Sequence, residues 1–129
     1  ATSRPWPRYQ TDYRPLVEFA RLWQWPVIAG DVPRRFASLV SRRGLAGLDS
    51  LSPGDRAFVA KDLDCPRDEY FERFAKVMGE MPSHSGDTKP QTPEEKDATL
   101  LRVYQAQCVK DETMGEAIAV ATAAAPPRA

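Results

Sequence analysis

Residues 100–121 read LLRVYQAQCVKDETMGEAIAVA. Stepping by four and three through this stretch gives Leu100, Tyr104, Gln107, Asp111, Met114, Ile118 and Ala121. That spacing is one continuous face of a helix. Five of the seven residues suit a core, whereas Gln107 and Asp111, one turn apart, do not. A carboxylate on a core face costs several kcal/mol unless something pairs with it. The face therefore either meets a buried base or lines a cavity. The alternative is that it is partly solvated at its centre.

Upstream, Thr92-Pro93-Glu94-Glu95 is a capping box with Pro at the first helical position. The helix is therefore expected from residue 92 to about 123, ahead of Pro126-Pro127. Residues 82–91 have a loop composition. Tyr70, Phe71, Phe74, Val77, Met78 and Met81 mark a helix over 68–81. Ser52-Pro53-Gly54-Asp55 opens a brief helix after a short one through Leu45, Leu48 and Leu51, and residues 60–66 read as a loop. Phe36, Leu39 and Val40 form the inner face of a helix that opens at Pro33 and stops at Gly44. A first helix starts near Asp12, with Leu16, Phe19, Ala20 and Trp23 on its apolar face and Pro26 at its end.

Between the first two helices lies Val27-Ile28-Ala29-Gly30, a short apolar run with β-branched residues. It reads as a buried strand of the parallel type, with an extended connector as the alternative. A lone strand leaves its N–H and C=O groups unpaired, so its neighbours are expected outside this chain. The fold class that follows is mainly α, with about one strand.

The 129 residues suit one domain with a modest core. The 18 basic and 18 acidic residues cancel, so no long-range field recruits nucleic acid or an anionic membrane. The runs Arg34-Arg35 and Arg42-Arg43 fall short of a polybasic tract. No apolar run approaches the roughly 20 residues of a membrane span. Cys65 and Cys108 lack metal-ligand spacing and read as small core hydrophobes, with pairing as the alternative. The chain starts at Ala1 without Met, so a trimmed start is expected and the lack of a visible signal peptide locates nothing.

Three blocks carry a family resemblance: Trp6-Pro7-Arg8-Tyr9 leading into 12–21 (DYRPLVEFAR), then 26–35 (PVIAGDVPRR), then 105–114 (QAQCVKDETM). In that order they resemble the ChaN family of haem-binding lipoproteins, in the superfamily of Tiki and TraB proteins and erythromycin esterases. The resemblance implies an α/β core with an inserted helical domain. Residues 1–33 and 106–129 would be parts of the core, and 34–105 the insert. It also implies haem as cofactor, a role in iron uptake, and a periplasmic or outer-membrane location. The family's flanking strands, with their histidine motifs, have no counterpart here, so the chain resembles the middle of such a domain. Asp31 stands where the family usually has Asn, and Gly115 where it usually has Ala.

The candidate ligand-binding residues are Asp31, Arg34, Arg35, Gln107 and Asp111. The first three follow the expected strand's carboxyl end, where α/β sheets bind ligands, beside a helix start that favours anions. Arg offers a bidentate fork for a carboxylate such as a haem propionate. The competing reading is an internal salt bridge from Arg34 to Asp31 or Asp111, and a buried Arg34–Asp111 pair is the specific expectation. Tyrosinate can ligate ferric haem, which is what the family suggests. Among Tyr9, Tyr13, Tyr70 and Tyr104 no motif picks the ligand; Tyr104 shares the stripe of Gln107 and Asp111 and is one ligand candidate, although a core role is the favoured reading of each tyrosine singly. His84, the sole histidine, is the other. Its loop suits a plain surface residue, but in a homodimer it would reach a ligand held by the second subunit. No catalytic or metal-binding residues are assigned: there is no phosphate loop, no Ser–His–Asp set and no paired-histidine zinc motif. The remaining alternatives are a metal-dependent hydrolase-like domain whose chemistry lies on absent strands, and a helical structural domain without a ligand.

Overall fold

The computed structural model describes residues 6–80 and 92–124. The protein is mainly helical, as the periodicities require. A π-helical turn at Tyr9–Tyr13 leads into α1 (Arg14–Leu22); α2 (Arg34–Arg43), a 3-10 turn (Leu45–Ser50), α3 (Pro53–Arg56), α4 (Glu69–Glu80) and α5 (Pro93–Ala124) follow. Among the described residues no strand forms. Residues 26–30, expected as a strand, have no regular secondary structure and make no main-chain hydrogen bond among the described residues.

The capping signals act as expected. The Thr92 amide donates to Glu95 Oε2 at 2.9 Å and the Glu95 amide to Thr92 Oγ1 at 3.2 Å, a reciprocal box that fixes the start of α5. Ser52 Oγ accepts from the Asp55 amide at the start of α3. α2 stops at Gly44, whose φ of +70° suits glycine and whose added Cβ would lie 3.1 Å from Gln105 Oε1. That same oxygen accepts from the Leu45 amide, so α5 also holds the end of α2. α1 ends earlier than Pro26 demands. Gln24 adopts φ 55°, the Trp25 amide donates to the Ala20 carbonyl and the Gln24 amide to the Arg21 carbonyl. This is a Schellman ending with glutamine in the usual glycine position, and Trp25 packs edge-on against Phe19 at 5.6 Å.

α5 buries two faces rather than one. Ala106 and Val109 join Val32, Phe36, Ala37, Val40, Leu48 and Val59 in the core, sealed by Leu45, Leu51 and Leu63. On the other side, Tyr104 packs its ring against Phe71, Phe74 and Tyr70 of α4 at 5.0, 5.6 and 5.9 Å. The long helix is thus the central post, with α2 on one side and α4 on the other. The core is continuous across residues 33/34 and 105/106, and the second of these positions falls inside α5.

Two expectations need correction here. Cys65 and Cys108 are not separate core thiols: they form a disulfide, their Cα atoms 5.9 Å apart, which ties the loop before α4 to α5. Helix packing brought together two cysteines whose sequence separation carried no signal. Nor is the apolar face of α1 buried. Leu16, Phe19 and Trp23 are 69%, 48% and 63% exposed, and α1 buries no residue.

Candidate functional site

Asp111 does not face Arg34. It is half-buried, and its carboxylate accepts from the Tyr70 hydroxyl at 3.0 Å (Oδ2) and from Gln107 Nε2 at 2.9 Å (Oδ1). Two neutral donors satisfy the acid where a base was expected, and no polar or charged residue among those described is buried. Arg34 is exposed on α2 and forms no ion pair among the described residues. Asp31 is exposed as well. Arg35 is committed elsewhere: its guanidinium meets Asp55 at 2.6 Å and lies 4.4 Å over the Phe36 ring. The five candidates therefore divide. Arg34 and Gln107 share a groove, Asp111 lines a second hollow, and Asp31 and Arg35 line neither. His84 lies outside the described residues.

The groove runs where α2, α4 and α5 meet, with a volume of about 330 Å³. Its floor is apolar, made by Ala37, Phe74, Met78, Val103 and Ala106. Arg34 and Lys110 stand at it with Gln107, Ser38 and Ser41. Lys110 also has no ion pair among the described residues. The arrangement follows from helix geometry. Val103, Gln107 and Lys110 recur at three- and four-residue steps on the α5 side next to the core-facing Ala106. An apolar trough with two uncommitted cations suits a ligand with a flat apolar body and carboxylates.

The second hollow, about 270 Å³, is lined by Asp64, Pro66, Asp68, Tyr70, Tyr104, Cys108, Asp111 and Glu112. It shares no lining residue with the groove. Tyr104 is 1% exposed, and its hydroxyl donates to the Pro66 carbonyl at 2.8 Å. Desolvation pushes its hydroxyl above the usual phenol range, and Asp68, Asp64, Asp111 and Glu112 add to the shift. Tyr70 is raised too, first by desolvation and then by the hydrogen bond and negative charge of Asp111. Both environments oppose tyrosinate.

A pH dependence follows with a definite sign. A phenol whose folded-state pKa exceeds its unfolded value stabilises the fold below the unfolded value, near 10. That contribution is lost as pH rises through the raised folded value. Stability should therefore decline on the alkaline side as Tyr70 and Tyr104 ionise, and Tyr70→Phe should flatten the decline. Urea midpoints at increasing pH, with tyrosinate absorbance followed in parallel, check this. Equal alkaline slopes in both proteins would show that Tyr70 does not contribute.

The residues missed at the sequence level are Lys110, Phe74 and Met78 in the groove and Tyr70 on Asp111. Their helical periodicity was visible, but which faces of α4 and α5 meet was not.

A family model described as haem-binding uptake, Tiki superfamily, ChaN matches residues 1–128. No curated protein and no solved structure matches the chain.

Proposed function

The chain belongs to the ChaN family of haem-binding uptake proteins of the Tiki superfamily, and from that premise we propose that it binds haem in the groove between α2, α4 and α5. The observation that carries the reading is the pairing of an apolar floor with two cations that lack ion pairs among the described residues. Phe74, Met78, Val103 and Ala106 would cover the porphyrin face and exclude water from it. Arg34 and Lys110 would take the propionates, and Gln107, fixed through Asp111, would limit where the ring edge settles. Bound haem supplies the iron that uptake requires. The tyrosine ligand suggested by the family is not assigned to Tyr104, whose hydroxyl is committed to Pro66. Asp31 and Arg35 are left out of this site, and Arg34 and Gln107 are kept.

The disulfide supports an extracytoplasmic location, periplasmic or at the outer membrane, because such bonds persist in oxidising compartments. No helix among the described residues is long and apolar enough to cross a membrane.

Haemin titration tests the proposal. A Soret shift that saturates near one haemin per chain is expected. The Arg34→Glu/Lys110→Glu variant should weaken binding by about tenfold or more, since each charge-assisted bond lost is worth about 1.5 kcal/mol or more. A non-saturating titration, or an affinity that the variant leaves unchanged, would remove the groove from consideration.

A further inference from the structure

α4 stands on a narrow footing. It rests on α5 and has little contact with any other element, and the bonds that fix it there gather at its start. The Cys65–Cys108 disulfide joins the loop just ahead of Glu69 to the middle of α5. Beside it the Tyr104 hydroxyl donates to the Pro66 carbonyl at 2.8 Å and the Tyr70 hydroxyl to Asp111 at 3.0 Å. Arg67 meets Asp97 at 2.7 Å, but these side chains are 46% and 57% exposed, and so exposed a pair holds little. Further along α4, no side chain from Glu72 to Glu80 is hydrogen-bonded or ion-paired to another element among the described residues. That part is held by packing alone, and it supplies Phe74 and Met78 to the groove.

The crosslink also lies apart from the main core. Neither cysteine belongs to the apolar cluster around Val40 and Val109 that joins α2 to α5. Cys65 is half-buried, and Cys108, 5% exposed, borders the second hollow. Cutting the bond therefore removes the one covalent tie at the root of α4 and leaves the α2–α5 packing in place.

We propose that the Cys65–Cys108 disulfide is a redox latch on α4: closed, it keeps the groove complete; reduced by a dithiol, it frees α4 and the groove gives up its ligand. The identity of that ligand rests on the haem reading above. In the reducing step a thiolate of the dithiol attacks Cys65 Sγ, the more exposed cysteine. The Cys65–Cys108 bond breaks and Cys108 leaves as a thiolate that takes up a proton. The second thiol of the same dithiol then attacks the mixed disulfide and releases Cys65. Two electrons and two protons pass to the protein, and the dithiol departs as its own disulfide. Local opening of one weakly held element is enough to change affinity, because a groove complete in about one-tenth of molecules binds about tenfold more weakly.

The test compares the whole chain in three forms: with the disulfide intact; reduced with dithiothreitol, capped with iodoacetamide and freed of reductant; and as Cys65→Ser/Cys108→Ser, which carries no cap. Amide hydrogen exchange is read without haemin. α4 should be protected alongside α2 in the disulfide form. In the other two forms α4 should exchange at nearly unprotected rates while α2 stays protected. Haemin titration should then show affinity lower by about tenfold or more in both forms that lack the bond. Equal haemin affinity in the disulfide and serine forms overturns the proposal. So does α4 exchange that loss of the bond leaves unchanged. Loss of protection in α2 together with α4 also overturns it, since the bond would then be a staple of the whole fold. If the disulfide form itself binds no haemin, the haem reading fails, and the latch is still decided by the exchange of α4 against α2.

Discussion

Replacing Cys65 and Cys108 together with alanine should lower the unfolding free energy by about 4 kcal/mol, the loop-closure entropy of a crosslink over this span. The two cysteines are 43 residues apart, and the loop they close contains all of α4 and the first half of α5. Without the crosslink, α4 is held to α5 by little more than one cluster of aromatic rings. The loss is a large share of the roughly 5–15 kcal/mol that stabilises an ordinary domain. It should move the thermal midpoint down by roughly 15 °C. Urea unfolding of the variant, and of the native chain with and without a thiol reductant, checks the value. A midpoint that ignores both the reductant and the substitution would mean that the ring cluster suffices.

How far the sequence reached can be judged from α5. Its caps, length and helical character were all legible, because Thr92 and Glu95 satisfy each other locally and need no tertiary partner. The same holds for α2, where Phe36 and Val40 are buried as their spacing requires. What failed was the choice of face. Reading Leu100 to Ala121 as one stripe put Met114 and Ile118 in the core, yet they are exposed. It also missed Ala106 and Val109, which face α2. A helix packed on two sides has no single apolar stripe, and periodicity cannot say which neighbour takes which side. The polar pair follows from the same error. Gln107 and Asp111 sit at the margin of the α4 contact, where Tyr70 reaches Asp111, so no buried base is needed. Of the candidate site, Arg34 and Gln107 were legible from position alone. Lys110 and Met78 were not, because the groove exists only once three helices are assembled. Residues 26–30 were read as a strand without neighbours. Among the described residues no strand forms there: the run has no regular structure and no main-chain hydrogen bond, so a short β-branched apolar run did not by itself decide between strand and connector.

Tyr104→Ala should cost about 3–5 kcal/mol, the range for deleting a large buried aromatic ring. Tyr104 is 1% exposed, three rings of α4 lie within 5.9 Å of it, and its hydroxyl holds the Pro66 carbonyl. Tyr104→Phe separates these contributions. It keeps the ring contacts and removes one hydrogen bond, so it should cost about 1 kcal/mol, rising towards 3 if Pro66 is left without a partner. The phenylalanine variant also decides a question of ligation. If haem lies in the α2–α4–α5 groove, Tyr104→Phe should leave the haemin spectrum unchanged; a lost or shifted Soret band would make Tyr104 the iron ligand and relocate the site. The two large effects should not add. Pro66 follows Cys65 directly, so the disulfide positions the carbonyl that Tyr104 holds, and the two act on one short loop. In the cysteine-free background that loop is already loosened, and Tyr104→Phe should cost less than it does in the native chain. Equal costs in both backgrounds would show that Pro66 is held in place independently of the crosslink.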